Sequence, residues 1–111
     1  MLSGFNCEVI GFTKSGRDNT KSIAELDKFL PTLDVVILIL PLTDQSRKMF
    51  DAKRLKLMKD GALLVNVARG PIVDTDALVN ELKTGRIFAA LDVTDPEPLP
   101  ENHALWSAPG V

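Results

Sequence analysis

Short apolar runs alternate with amphipathic segments along the chain. Residues 35–40, 62–67 and 87–91 are almost entirely apolar, which predicts parallel strands covered on both faces. A shorter apolar run, residues 7–12, predicts another strand, closed by the polar residues 13–17. The runs are too short for buried helices and too continuous for half-exposed hairpin strands.

Helical segments separate these runs. Ser22 and Glu25 have the spacing of a capping box at the start of the first helix, which Pro31 ends. Asp51 and Asp74 are the predicted N-caps of the second and third helices.

Strict alternation of strand and helix predicts an α/β fold, a doubly wound parallel sheet with right-handed crossovers. In such sheets ligands bind beyond the carboxyl ends of the strands. The segments expected at those ends are residues 13–17, 41–43, 67–70 and 92–97. Any functional site is therefore predicted to be built from these four segments.

Composition narrows the class of protein. The 111 residues, 45% of them hydrophobic and with a net charge of −2, suit one globular domain. Thirteen basic against fifteen acidic residues, with few aromatics, argue against a nucleic-acid partner. The longest apolar stretch, residues 35–42, is too short to span a bilayer. A single cysteine, Cys7, fits a reducing compartment, so a cytoplasmic protein is expected.

Arg69 is the first candidate for chemistry, because it follows a predicted strand directly and precedes Gly70. A guanidinium there can hold a carboxylate through two parallel hydrogen bonds. The alternative is an ordinary solvated arginine in a turn.

Two carboxylates follow the last predicted strand. Asp92 ends it, and Glu97 lies between two prolines that stiffen the backbone, as suits an acid that orients a histidine. The alternative is an ordinary polar exit loop. His103 is the one histidine available, although a lone loop histidine is more often structural.

The sequence has no Gly-x-Gly-x-x-Gly, no Walker sequence and no metal-ligand spacing of Cys and His.

Several segments, in order along the chain, resemble the D-isomer-specific 2-hydroxyacid dehydrogenase family. They are Leu-Pro-Leu-Thr at 40–43, Met-Lys-Asp-Gly-Ala-Leu-Leu-Val-Asn-Val-Ala-Arg-Gly at 58–70, Val-Asp at 73–74, Ala-Leu-Asp-Val at 90–93 and Glu-Pro-Leu-Pro at 97–100. The resemblance implies an enzyme that transfers hydride between a nicotinamide cofactor, NAD(P), and the C2 atom of a small 2-hydroxy or 2-oxo acid. It also implies a partial Rossmann-like domain and the homodimers usual in the family.

The resemblance assigns roles to particular residues. Arg69 is similar to the arginine that binds the substrate carboxylate, and Glu97 to the acid that pairs with the catalytic histidine. Asp92 is similar to the carboxylate near the nicotinamide amide. The positions that match the lining of the cofactor site are Leu40, Pro41, Thr43, Val67, Ala68 and Arg69.

The first and last segments of the chain lead to further expectations about the parent protein. Residues 1–5 resemble the tail of the helix after the glycine-rich loop, so the first strand and that loop are expected upstream of residue 1. The family's histidine lies in a Thr-Pro-His element beyond the segment 106–111. His103 is therefore less favoured as the catalytic histidine. Residues 1–111 are thus expected to be a partial dinucleotide-binding domain, without the substrate domain. An isolated chain without its central strand is expected to be poorly stable or to associate.

Thr13 stands where an acidic residue commonly binds the ribose hydroxyl of NAD. Lys14, Ser15 and Arg17 follow, and such groups suit a 2′-phosphate, which predicts NADP over NAD. The alternative is a solvated basic turn.

Three functions stay open at this point. The chain is the cofactor-domain portion of a 2-hydroxyacid dehydrogenase, a non-catalytic dinucleotide-sensing module that binds a partner protein, or an inactive truncated remnant. The particular 2-hydroxy acid is not predicted, because the residues that select its side chain belong mainly to a separate domain.

Overall fold

A computed structural model describes residues 2–111. Three strands, Val35–Leu38 (β3), Leu63–Asn66 (β4) and Phe88–Leu91 (β5), form a parallel sheet in the order β3-β4-β5. Two short strands, Phe12–Thr13 (β1) and Lys21–Ser22 (β2), form a separate parallel pair. The α-helices are Leu26–Phe29 (α1), Ala52–Leu57 (α2) and Thr75–Lys83 (α3). Single 3₁₀ turns occupy Leu2–Phe5, Ile23–Glu25, Leu30–Thr32, Gly70–Ile72 and Ala104–Trp106. The predicted α/β class with parallel strands is confirmed.

The predicted helix starts are confirmed by their hydrogen bonds. Ser22 and Glu25 form the complete capping box. The Asp51 carboxylate accepts from the backbone N–H of Arg54 at 3.0 Å, and that of Asp74 accepts from Ala77 at 3.2 Å. These bonds satisfy N–H groups that have no partner within the helix.

One face of the three-stranded sheet carries the core. Its buried side chains include Val36, Leu38, Leu64 and Ala89. They belong to one apolar cluster with the buried faces of the helices, contributed by Leu26, Leu55, Leu78 and Leu82. Burial of each such leucine contributes about 1.5–3 kcal/mol, so this face holds the described part of the chain together.

The prediction that these strands are covered on both faces is wrong for β3 and β5. On the second face of β3, Val35 is 49% exposed and Ile37 is 42% exposed. Phe88 of β5 is also exposed. An apolar run indicates that both faces of a strand suit burial. The residues that would bury those faces belong to other segments, which the run itself does not reveal. Within residues 2–111, the helices pack their buried residues into the cluster on the first face.

The predicted strand over residues 7–12 is also wrong in its extent. Only Phe12–Thr13 is a strand, and it pairs with Lys21–Ser22 and not with the three-stranded sheet. A strand requires a hydrogen-bonded neighbour along its length. Within the described residues, no strand lies beside the segment 7–10, and the pairing with β2 begins where the Gly11 carbonyl accepts from the backbone N–H of Lys21 at 2.8 Å. Of the segment 1–5, Met1 lies outside the described residues.

The uncovered sheet face makes self-association of the 111-residue chain an expected result, because β3 presents apolar side chains and a free strand edge together. We expect light scattering to show a mass that rises with chain concentration. The double variant Val35→Thr/Ile37→Thr keeps β-branched side chains and should reduce this association. Val9→Thr, at an exposed position outside the sheet, is the matched control. A monomer with one cooperative thermal transition at every concentration would contradict the expectation.

None of the helices formed by residues 2–111 combines the length and the apolar character that crossing a bilayer requires.

Candidate functional site

A cavity of about 480 Å³ opens at the carboxyl ends of β3 and β4. It is lined by Ile39, Leu40, Pro41, Leu42, Val67, Ala68 and Arg69. Five of the predicted site residues, Leu40, Pro41, Val67, Ala68 and Arg69, therefore share one cavity. Six of the seven lining residues are apolar and the seventh is Arg69, which suits a flat ring beside an anionic group.

The turn after β3 is fixed by Ser46. This buried hydroxyl accepts from the backbone N–H of Thr43 at 2.7 Å and donates to the carbonyl of Pro41 at 2.8 Å. The Thr43 hydroxyl in turn accepts from the backbone N–H of Ser46 at 3.1 Å. Thr43, a predicted cofactor residue, is thus exposed on a rigid turn next to the cavity lining.

The turn after β4 carries Arg69. Asn66, the last residue of β4, is 1% exposed, and its side chain bonds to the backbone of Ala68 and Arg69. The Arg69 backbone is extended, its side chain is exposed, and its guanidinium donates to the carbonyl of Ala68 at 2.7 Å. The guanidinium therefore lies at the cavity and has further N–H groups that can donate to a ligand.

The loop that carries the predicted acids contacts this turn at Gly70. A Cβ atom on Gly70 would lie 1.9 Å from the carbonyl oxygen of Thr94, so there is room for no side chain. The hydroxyl of Thr75 holds the same loop by donating to the carbonyl of Asp95 at 2.7 Å. Asp92 and Glu97 are both exposed on this segment. The turn of Arg69 and the loop of Glu97 are therefore packed against each other, backbone to backbone.

The predicted phosphate-binding residues lie apart from that cavity, on the β1-β2 pair. The Thr13 hydroxyl accepts from the backbone N–H of Gly16 at 3.0 Å and shares a hydrogen bond with Thr20. Arg17 donates to the hydroxyl of Ser15 at 2.9 Å. Lys14 is exposed on the same turn, so the turn presents two cations and two hydroxyls to solvent.

His103 has a structural role in the chain. Its Nδ1 accepts from the backbone N–H of Leu105 at 3.1 Å, which caps the 3₁₀ turn Ala104–Trp106. The structural interpretation of this histidine is confirmed.

Asn66, Ser46 and the packing role of Gly70 were not identified from the sequence. A polar residue near the end of an otherwise apolar strand was the available signal for Asn66, since a buried amide must be paired. Ser46 had no such signal, because a serine after a strand and a proline is ordinary turn composition.

The parallel strands, the crevice at their carboxyl ends and the cationic residue beside apolar walls define a class: a dinucleotide-binding type of α/β domain. A family model described as the D-isomer specific 2-hydroxyacid dehydrogenase, NAD binding domain, matches residues 1–111. The chain belongs to this family.

Individual relatives agree with the family assignment. The chain is 46% identical to an uncharacterized protein in the proB 3′ region of Corynebacterium melassecola, over 100% of this chain and 38% of the relative. It is 40% identical to the glyoxylate reductase of Thermofilum pendens, over 94% of this chain and 33% of that protein. A D-isomer specific 2-hydroxyacid dehydrogenase from Xanthobacter autotrophicus, solved in complex with NADPH and MES, superimposes with a TM-score of 0.86 at 36% identity. That match covers 96% of this chain and 35% of that one.

The chain spans 38% of the first of these two curated relatives and 33% of the second, about a third of their length. The matched domain is the Rossmann-like, NAD-binding one, and the resemblance to this family is confirmed. The alternative of a non-catalytic partner-binding module finds no support among these relatives.

Proposed function

We propose that residues 1–111 are a partial dinucleotide-binding domain in an NAD(P)-dependent oxidoreductase that interconverts a small 2-oxo acid and its 2-hydroxy acid. The observation that carries the proposal is the exposed guanidinium of Arg69, which is the one charged residue among the seven that line the cavity. The match to reductases of glyoxylate supports the substrate class.

The residues present fit a nicotinamide cofactor. The volume of about 480 Å³ falls within the range of ligand pockets, and the side chains of Leu40, Pro41 and Val67 suit the faces of a flat ring. When bound, the cofactor supplies or accepts the hydride. In this proposal Ala68 and Thr43 would help to hold the cofactor from the two turns, and Asp92 would hold its amide.

Arg69 binds the substrate in the proposed reaction. Its planar fork holds the carboxylate through paired hydrogen bonds, which fixes the position of C2. The same positive charge polarises the 2-oxo group, so that negative charge developing on its oxygen is stabilised. A lysine would supply the charge without the fixed orientation.

Glu97 is proposed to pair with a histidine supplied from outside residues 1–111. A neighbouring carboxylate favours the imidazolium and so raises the pKa of the histidine. The histidine then delivers the proton to the substrate oxygen. Since His103 already caps a turn, we expect residues 1–111 to show no turnover of glyoxylate, hydroxypyruvate or pyruvate by themselves.

A chimera tests the proposed function. In it, residues 1–111 replace the matched third of the Thermofilum pendens glyoxylate reductase, which keeps the rest of that enzyme. We expect glyoxylate-dependent oxidation of reduced cofactor by the chimera. A folded chimera that binds cofactor but has no turnover would contradict the proposal, and turnover by residues 1–111 alone would contradict catalytic incompleteness.

The chimera is also expected to prefer NADPH to NADH. Lys14, Ser15 and Arg17 present charged and hydroxyl donors, and a charge-assisted bond to the 2′-phosphate changes kcat/KM by about 10- to 100-fold. Steady-state kinetics with both cofactors measure the ratio. Arg17→Ala should lower kcat/KM for NADPH and leave that for NADH unchanged, while Lys83→Ala, on the distant end of α3, is the charge-matched control. A kcat/KM for NADH that equals or exceeds that for NADPH would contradict the predicted preference.

The exposed, free thiol of Cys7 is compatible with the cytoplasm, which is the proposed location. The proposed partners are the small acid substrate and a second copy of the protein.

A further inference from the structure

Asn66 is a buried amide within the apolar strand β4. It is 1% exposed, in a strand whose other residues are Leu63, Leu64 and Val65. Burial of an amide costs free energy unless its donor and acceptor are both paired. An apolar side chain of similar volume would avoid that cost, so the amide at this position calls for an explanation.

Both polar atoms of the Asn66 side chain bond to the turn that carries Arg69. The Oδ1 atom accepts from the backbone N–H of Ala68 at 3.1 Å, and the Nδ2 atom donates to the backbone carbonyl of Arg69 at 3.0 Å. The two bonds fix the peptide group before Ala68 and the peptide group after Arg69, so they hold this pair of residues from both ends. Together they restrict where the guanidinium can reach.

The backbone of Asn66 connects to the second functional segment. Its carbonyl accepts from the backbone N–H of Asp92 at 3.0 Å, at the point where β5 ends and the loop of Glu97 begins. One buried residue thus holds the arginine turn through its side chain and the acid loop through its main chain.

We propose that Asn66 is a positioning residue, which sets the guanidinium of Arg69 relative to the loop that carries Glu97. This rests on the proposed function in that Arg69 binds the substrate carboxylate. The specific requirement is one donor and one acceptor on a planar group. Leucine matches the volume and has neither, and a carboxylate has only the acceptor.

The substitution Asn66→Asp in the chimera provides the test. An ionised aspartate keeps the acceptor for Ala68 but sets a negative oxygen against the Arg69 carbonyl, whereas the protonated acid restores a donor. Burial raises the pKa of a carboxyl, so protonation falls within an accessible range. We expect the ratio of variant to wild-type kcat/KM for glyoxylate to fall about 10- to 100-fold at pH near 8 and to recover as pH falls toward about 5. The charged residues near position 66, Arg69, Asp92 and Asp95, are the same in both proteins, so pH effects common to both divide out of the ratio.

Two further variants separate positioning from folding. Asn80→Asp, at an exposed position on α3, should leave the ratio flat with pH. Asn66→Leu should lower kcat/KM at every pH with no recovery. Circular dichroism at each pH gives the folded fraction. A ratio for Asn66→Asp that stays flat, or that follows only the folded fraction, would overturn the proposal.

A readout on the chimera is independent of turnover. Hydrogen exchange at the Ala68 and Asp92 amides should be slow in the wild type. In Asn66→Leu we expect faster exchange at Ala68, while exchange at Asp92, bonded to the Asn66 main chain, stays slow. An inactive wild-type chimera with this exchange pattern would refute the proposed function and keep the contacts. Unchanged exchange at Ala68 would refute the positioning role itself.

Discussion

Replacement of Arg69 by glutamine is expected to lower kcat/KM of the chimera for glyoxylate by about 10³-fold, since two charge-assisted bonds to one carboxylate are lost at about 1.5–3 kcal/mol each. The loss arises because the neutral amide cannot hold the carboxylate or stabilise charge on the substrate oxygen. Steady-state kinetics with varied glyoxylate measure the effect.

Because Arg69 is exposed, its substitution is expected to change activity without changing the stability of the fold. Its side chain is exposed and donates to the carbonyl of Ala68, the residue before it, so its removal should leave the thermal midpoint nearly unchanged. Arg69→Lys keeps the charge and should recover only part of the lost activity, because an ammonium cannot form the paired bonds. Lys83→Gln, at the exposed end of α3, controls for the change in net charge. Full activity in Arg69→Lys would show that charge alone suffices and would contradict bidentate binding.

Gly70→Ala is expected to have the second-largest effect. The added Cβ atom would lie 1.9 Å from the Thr94 oxygen and 2.7 Å from the Asp95 nitrogen, both of them backbone atoms. Ordinary contact begins at 3.4 Å, so the loop must move by about 1.5 Å. Displacement on this scale costs on the order of 10²-fold in rate and about 1–3 kcal/mol in the free energy of unfolding.

Kinetics and thermal unfolding of the chimera measure the two effects of Gly70→Ala. Gly4→Ala is the matched control, because a Cβ atom there has no atom within 4 Å and the backbone is not in the left-handed region. Wild-type kcat/KM in Gly70→Ala would show that the contact between the two loops does not position Glu97 and Arg69.

The local signals in the sequence predicted much of this fold. Continuous apolar runs located β3, β4 and β5, and side-chain caps at Ser22, Asp51 and Asp74 located the helix starts. These features depend on short-range chemistry, which a sequence displays directly. The rule that ligands bind at the carboxyl ends of parallel strands then led to Arg69.

Features that depend on contacts between distant segments could not be predicted from the sequence in the same way. The exposure of Val35 and Ile37 is set by what covers the sheet, and an apolar pattern does not reveal it. The close approach of Gly70 to Thr94 joins segments 24 residues apart, so neither sequence position alone indicates it. Asn66 lay within a run interpreted as a buried, almost entirely apolar strand, and its two side-chain bonds became evident only with the turn around it.

The most direct test of the central claim is the transfer of an isotope. The chimera is given hydroxypyruvate and a reduced cofactor that carries deuterium at the transferring position of C4, and the product is examined by mass spectrometry. We expect a 2-hydroxy acid with one deuterium at C2, formed by the wild-type chimera and nearly lost in Arg69→Gln. Oxidation of the cofactor with no deuterium at C2, or equal labelling in Arg69→Gln, would contradict this expectation.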